Sequence, residues 1–230
     1  MNMQFTNNHE HFSDQGEPDF IKKSFCPAWD NKPEIFPPVV TRAGTSILTA
    51  QNATCIVAPQ GTGKSACLEA VAASLLNPTA DCLGFQVAPD CPSILSFDCE
   101  RTPGDVWNSF SRMCRRAGVR EGTPVEKVKI VGLRACRDVA TRKKTIEYFL
   151  QKHRPGLLII DGAGDLVDDT NDNVQAVQFK EWLREITEKY NACVLVSLHP
   201  NPASEKARGH IGSELMRECE NVLIIKKSGP

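Results

Sequence analysis

The sequence predicts an α/β fold, with a mostly parallel central sheet carrying helices on both faces. Three observations predict it. Six apolar runs of strand length recur along the chain, amphipathic helical stripes lie between them, and a glycine-rich turn joins the first core run to the first helix. The runs fall at 54–57, 94–97, 128–131, 157–160, 193–198 and 222–225. They are continuously apolar instead of alternating, as strands covered on both faces require.

Taken in order, residues 1–32 are rich in Asn, His, Asp, Glu and Ser, too polar to offset the entropy of ordering. They read as a flexible tail or a docking segment, and residues 33–230 read as one folded domain. After Pro37-Pro38, two β-prone runs flank Arg42-Ala43-Gly44, the pattern of a small hairpin. Three helices follow from apolar stripes spaced three or four apart: Leu68, Val71, Ala72 and Leu75; Val106, Phe110, Met113 and Ala117; Phe179, Leu183, Ile186 and Tyr190. A further short helix is predicted between Thr141 and Lys152. Strand and helix in alternation place ligands beyond the carboxyl ends of the strands.

Composition narrows the class. A chain of 230 residues with 41% apolar content can bury one sizeable core but not two ordinary α/β domains. Its formal charge of -1 lacks the long-range field of a dedicated nucleic-acid binder, so any such contact must come from a local patch. No apolar run approaches the roughly 18 residues needed to cross a bilayer. The polar, acidic start is unlike a secretory signal, so a cytoplasmic protein without membrane contact is expected. The ten cysteines form no C-x-x-C pair, and several lie inside apolar runs. They read as reduced structural thiols, with an occasional disulfide or metal contact as the alternative, and neither reading gives a zinc site.

The glycine-rich turn is Ala58-Pro59-Gln60-Gly61-Thr62-Gly63-Lys64-Ser65, between an apolar strand and a helix, the setting of a P-loop. Gly61 and Gly63 let consecutive N–H groups and a helix N-terminus wrap a phosphate. Lys64 is placed to reach the β and γ phosphates, and the Ser65 hydroxyl to coordinate Mg²⁺. Pro59, Gln60, Gly61, Thr62, Gly63, Lys64, Ser65 and Ala66 are thus the expected nucleotide-binding residues. Ala58 stands where the motif usually has its first glycine, which is tolerable where the backbone φ is negative. A second element fits: Leu157-Leu158-Ile159-Ile160-Asp161 is an apolar strand ending in a carboxylate, the Walker B pattern, which brings Asp161 beside the metal held by Ser65. Together these predict binding and hydrolysis of ATP with Mg²⁺.

Four further stretches resemble the RecA-like ATPases, and within them the RepA-type plasmid hexameric helicases, with DnaB as a more distant relative. The resemblance spans roughly residues 33–227. Ile94-Leu95-Ser96-Phe97-Asp98-Cys99-Glu100 resembles the family strand ending in a catalytic glutamate, which implies that Glu100 orients the attacking water. A carboxylate ending the strand beside the P-loop strand is suited to point across the γ-phosphate, and Asp98 is the competing candidate. Asp161-Gly162-Ala163-Gly164-Asp165-Leu166 with the acidic run Asp168 to Asn173 resembles the Walker B strand and a channel-facing loop. The same loop also reads as a solvated, acidic helix start. Val194-Leu195-Val196-Ser197-Leu198-His199 resembles the strand ending in a γ-phosphate sensor, which implies that role for His199. Lys206-Ala207-Arg208-Gly209-His210, with Arg217, resembles the Arg-Gly loop and short helix. Lys206, Arg208, His210 and Arg217 are the implied nucleic-acid or subunit contacts, with incidental surface charge as the competing reading.

The resemblance implies a homo-oligomeric, hexameric ring acting on single-stranded DNA, a helicase-like motor in replication or mobilisation of a mobile element. Relatives continue beyond the strand matching 222–225 with further strands, often bearing a Lys or Arg finger. This sequence stops at Pro230, leaving Lys226, Lys227, Arg208 or Arg217 to serve. A different class of function also fits the residues: an ATP-gated regulatory or assembly module that docks partners through its polar tail.

Overall fold

The structure, a computed structural model, describes residues 25, 27–28, 32–201 and 207–226. Most of the predicted tail, together with Cys26, Lys206 and Lys227, lies outside the described residues. The chain divides into two compact units, Met1–Ile35 and Phe36–Pro230, and every element below belongs to the second.

Strands β1 (Pro38–Arg42) and β2 (Thr45–Thr49) form the expected hairpin, turning at Ala43 and Gly44, both with positive φ. A short strand that sequence reading missed, β4 (Phe85–Val87), pairs antiparallel with β1 and completes a three-stranded sheet in the order β2-β1-β4. Three residues carry too little periodicity to announce a strand.

The main sheet has six parallel strands: β3 (Ala53–Val57), β5 (Ile94–Asp98), β6 (Val128–Gly132), β7 (Leu157–Asp161), β8 (Cys193–Leu198) and β9 (Asn221–Ile224), in the order β6-β5-β7-β8-β3-β9. The helices are α1 (Lys64–Leu76), α2 (Pro103–Ala117), α3 (Val139–His153), α4 (Asn173–Tyr190) and α5 (Gly209–Glu218). No helix among the described residues is long and apolar enough to cross a membrane.

Alternate residues of each strand serve opposite faces. Leu158, Ile160, Val194 and Val196 pack with Ile146, Leu150, Phe179, Leu183 and Leu215 from α3, α4 and α5. Leu157, Ile159, Cys193 and Leu195 pack with α1, α2 and the small sheet through Val71, Leu75, Met113, Leu48 and Phe85. The inner strands β3, β7 and β8 are buried throughout while the outer β6 and β9 are partly exposed, and each fully buried Leu or Ile contributes about 1.5–3 kcal/mol.

Helix ends follow local chemistry. Thr102 and Asp105 form a reciprocal capping box behind Pro103, so α2 begins where Glu100 and Arg101 leave the sheet. Asp138 caps α3 by accepting from Thr141 N–H, and Asp172 caps α4 by accepting from Val174 and Gln175 N–H. Gly118 and Asn191 end α2 and α4 in the left-handed conformation.

One expectation is corrected. The strand that precedes Glu100 does not lie beside the P-loop strand: β5 pairs with β6 and β7, and both β7 and β8 separate it from β3. A parallel sheet built by crossovers need not keep sequence neighbours adjacent, and here the Walker B strand inserts between them.

Candidate functional site

The P-loop leaves β3 and enters α1 through two left-handed glycines, Gly61 at φ 76° and Gly63 at φ 93°. A Cβ at either would meet nothing within 4 Å, so backbone conformation and not space demands glycine. Ala58 is not among the positive-φ residues, and its amide donates to the Leu198 carbonyl at 3.2 Å, which is why alanine serves where the motif has glycine.

Beyond the carboxyl ends of the strands lies a cleft of about 400 Å³, lined by Pro59, Gln60, Gly61, Gly63, Lys64, Ser65, Ala66, Asp98, Glu100, Arg101, Arg112, Asp161 and His199. It gathers all but one of the expected nucleotide-binding residues with Glu100, Asp161 and His199. Thr62 is the exception, and its hydroxyl donates to the Pro59 carbonyl at 2.7 Å within the loop.

Asp161, almost buried, is the hub. Its Oδ2 accepts from the Ser65 hydroxyl at 3.0 Å, and Lys64 Nζ lies 3.2 Å from its Oδ1. Burial pushes its carboxyl up, but Lys64, the Ser197 hydroxyl and Arg101 outweigh that and hold it below the usual aspartate range. Residues 96 apart in sequence thus share one anchor, a set of hard oxygen donors that suits Mg²⁺.

Glu100 reaches the cleft from the turn after β5. Its carboxylate lies 3.8 Å from His199 Nε2, at the end of β8. The imidazole is the main cause that keeps Glu100 below the usual glutamate range, with partial burial opposing and Lys64 assisting. Asp98, the competitor, also lines the cleft but is engaged by its own turn: it accepts from the backbone N–H of Glu100 at 3.1 Å and of Arg101 at 2.8 Å, and from Arg101 Nε at 2.5 Å. With its lone pairs spent on the turn, Asp98 shapes the backbone that presents Glu100.

On the far side of Glu100 and His199 a second cleft, of about 340 Å³, is lined by Gly162, Asp165, Asp168, Asp169, Thr170 and Arg208 among others. The acidic loop is folded on itself: the Asp168 and Asp169 amides donate to the Gln175 side-chain carbonyl, and Asp169 accepts from the Asn171 amide. It also seats α5, since Thr170 O accepts from Ile211 N–H at 3.2 Å, and a Cβ at Gly209 would meet that oxygen at 2.3 Å.

Three of the four expected nucleic-acid or subunit contacts lie on or beside α5. Lys206 is outside the described residues, Arg208 opens α5 beside the acidic loop, and His210 follows one residue into the helix. Arg217 is two turns further on and paired with Glu214 at 2.9 Å.

A family model described as an AAA domain matches residues 28–205. The chain belongs to the AAA domain family. A search of curated proteins returned no match. The family match carries the AAA domain assignment and its P-loop ATPase character; it does not reach the RepA-type branch.

The AAA domain contains functional neighbours that sequence reading missed. Ser197, fully buried, donates to Asp161 Oδ1 at 2.7 Å and accepts from Gly162 N–H at 3.0 Å. Gly162, at φ 92°, lets Glu100 pack over the chain, since a Cβ there would lie 2.8 Å from Glu100 Oε1. Arg101 bridges Asp98, Ser109 and Asp161, and Glu69 takes Ser109 at 2.5 Å and both arms of Arg112 at 2.6 and 3.0 Å. The polar Ser within an apolar β8 run was the available signal for Ser197. The others are single residues whose pairing only folding creates. Among the described residues, nine cysteines are free thiols, and no cluster of three His, Cys, Asp or Glu is placed to hold a metal.

Proposed function

We propose that this AAA domain hydrolyses MgATP as a RecA/RepA-type, DNA-directed motor assembled from copies of itself into a ring. The observation that carries the ATPase reading is the convergence of Lys64 and Ser65 on Asp161 at the floor of a cleft whose rim holds Glu100 and His199.

In this reading the P-loop amides and Lys64 take the phosphates, while Ser65 and Asp161 hold the metal. Mg²⁺ held there would supply neutralisation of phosphate charge. Glu100 accepts a hydrogen bond from water and orients it in line with the γ-phosphate. His199 and Lys64 favour the Glu100 carboxylate, and its turn is pinned by Asp98. His199, in contact with Glu100 and bonded through its carbonyl to the Arg208 amide, links the γ-phosphate position to the loop leading into α5.

The test separates binding from chemistry. Lys64→Ala is expected to abolish ATP binding in calorimetry, whereas Glu100→Gln keeps binding and loses turnover. Hydrolysis retained in Lys64→Ala overturns the site. Stimulation of the rate by single-stranded DNA, with a ring mass in the presence of an ATP analogue, supports the motor. Indifference to DNA replaces it with an ATP-gated assembly module.

A further inference from the structure

Charge is unevenly distributed along this chain. From Arg101 to Arg154 there are 14 Lys and Arg against 5 Asp and Glu, while the rest carries 13 against 23. This stretch builds α2, β6 and α3, and β6 is an outer strand of the six-stranded sheet, so the excess gathers along one lateral edge of the fold. Some of it is neutralised locally: Arg101 pairs with Asp98, Arg112 with Glu69 and Arg142 with Asp165.

Along the outer face of α3 the acidic offset is small, with Asp138 at the helix start acting on Lys144. Lys144, Tyr148 and Lys152 recur every four residues and so stack one turn apart on the same exposed face. The Lys152 ammonium lies 5.7 Å from the centre of the Tyr148 ring, which is 57% exposed. Phe149 meets Tyr148 edge-on at 5.6 Å and stacks on His153 at 5.8 Å. From β6, Lys129 Nζ approaches His153 Nε2 to 3.4 Å. Among the described residues, none of Lys129, Lys144 and Lys152 has a carboxylate within ion-pair distance. Burial first, then Lys129 and Lys152, keep the His153 pKa below its usual value.

We propose that this edge binds single-stranded nucleic acid, with Lys129, Lys144 and Lys152 meeting backbone phosphates and the Tyr148 ring offering a stacking platform to a base. The inference deepens the motor reading and rests on it for the kind of partner. Lysines alone would make an ordinary solvated face. An exposed aromatic ring set between two of them, perpendicular to Phe149 and with Lys152 over it, is the combination that unpaired bases use and that a duplex, with its base faces hidden, does not. An acidic protein surface would engage the lysines but has no use for the ring. The acidic loop holding Asp165, Asp168, Asp169 and Asp172 repels phosphate, so this edge is the better electrostatic match.

The experiment titrates the full chain, without nucleotide, into labelled thymidine and uridine oligomers of about 20 nucleotides at several salt concentrations, reading anisotropy. A Lys144→Glu, Lys152→Glu double variant is expected to flatten the slope of log affinity against log salt by roughly 1.4, two phosphate contacts' worth. Tyr148→Ala should weaken binding about 5- to 150-fold, and Tyr148→Phe should restore it because the ring remains. All three variants should keep the wild-type melting temperature and ATP affinity. The thymidine and uridine arms tell which sugar is preferred. The proposal is overturned if the wild-type chain shows no salt-dependent binding, if the variants bind as it does, or if a duplex of equal length displaces the single strand. It is also overturned if the double variant instead abolishes self-association, which would give the edge to a second copy. Failure here with ATP hydrolysis intact leaves the ATPase site standing, and loss of ATP binding in Lys64→Ala leaves this titration unaffected.

Discussion

Replacing Ser197 by alanine removes one buried hydroxyl that makes two hydrogen bonds, to Asp161 Oδ1 at 2.7 Å and from Gly162 N–H at 3.0 Å. A hydrogen bond to an ionised group contributes about 1.5–3 kcal/mol, and a buried N–H left without a partner costs about 1–3 kcal/mol. Lys64 still lies 3.2 Å from the same carboxylate oxygen, so the lower part of the first range applies. The expected loss is about 3 kcal/mol, which for a domain of this size lowers the melting temperature by roughly 6–12 °C. The same change frees Asp161 to rotate, so the magnesium concentration giving half-maximal ATP hydrolysis should rise about 10- to 100-fold. Urea titration gives the first quantity and a magnesium-dependent rate series the second. A stability loss under about 0.5 kcal/mol together with an unchanged magnesium dependence would refute the role of Ser197 as the support of Asp161.

Gly162→Ala places a methyl group 2.8 Å from Glu100 Oε1 on a backbone at φ 92°, so turnover should fall more than ATP affinity, with about 1–2 kcal/mol of destabilisation. Unchanged turnover would mean that Glu100 does not act from this position. Arg101→Ala strips Asp98 of its guanidinium partner but leaves its two backbone donors, and Arg101 is itself 26% exposed. The expected loss is therefore about 2 kcal/mol by urea denaturation, below that of a fully buried pair. Asp165 behaves oppositely to Asp161: burial first, then the Glu100 charge, push its carboxyl above the usual value of 3.8. An acid whose native pKa is raised weakens the fold wherever it is ionised, so Asp165→Asn should raise the melting temperature at neutral pH, and the gain should vanish as pH falls below 3.8. A gain that grows in acid would reverse that sign.

The P-loop, Walker B and Glu100 positions were legible because each combines a local rule with a residue type that rule makes unusual. A glycine pair before Lys-Ser is a backbone requirement, and a carboxylate or histidine ending an apolar run marks the ligand edge of a sheet. The hairpin at Ala43 and Gly44 and the helical stripes were legible through the same short-range logic. Strand β4 was not, because its partner β1 lies over 40 residues away and three residues cannot display a period. Strand order was not either, since adjacency in a crossover sheet depends on which faces the helices cover, and that misplaced β5 beside β3.

The sequence by itself determined that apolar strands alternate with amphipathic helices, that a glycine-rich turn of P-loop pattern opens the first of them, and which side chains stand at the strand ends. Those are properties of three to fifteen consecutive residues, where sterics and periodicity act directly. Only the tertiary structure decided that Glu100 meets His199 at the cleft, that Ser197 and Arg101 support Asp161, and that the lysines of α3 and β6 share one edge. Those outcomes depend on pairing between residues 24 or more positions apart, and distance in space between such residues is set by packing the whole core.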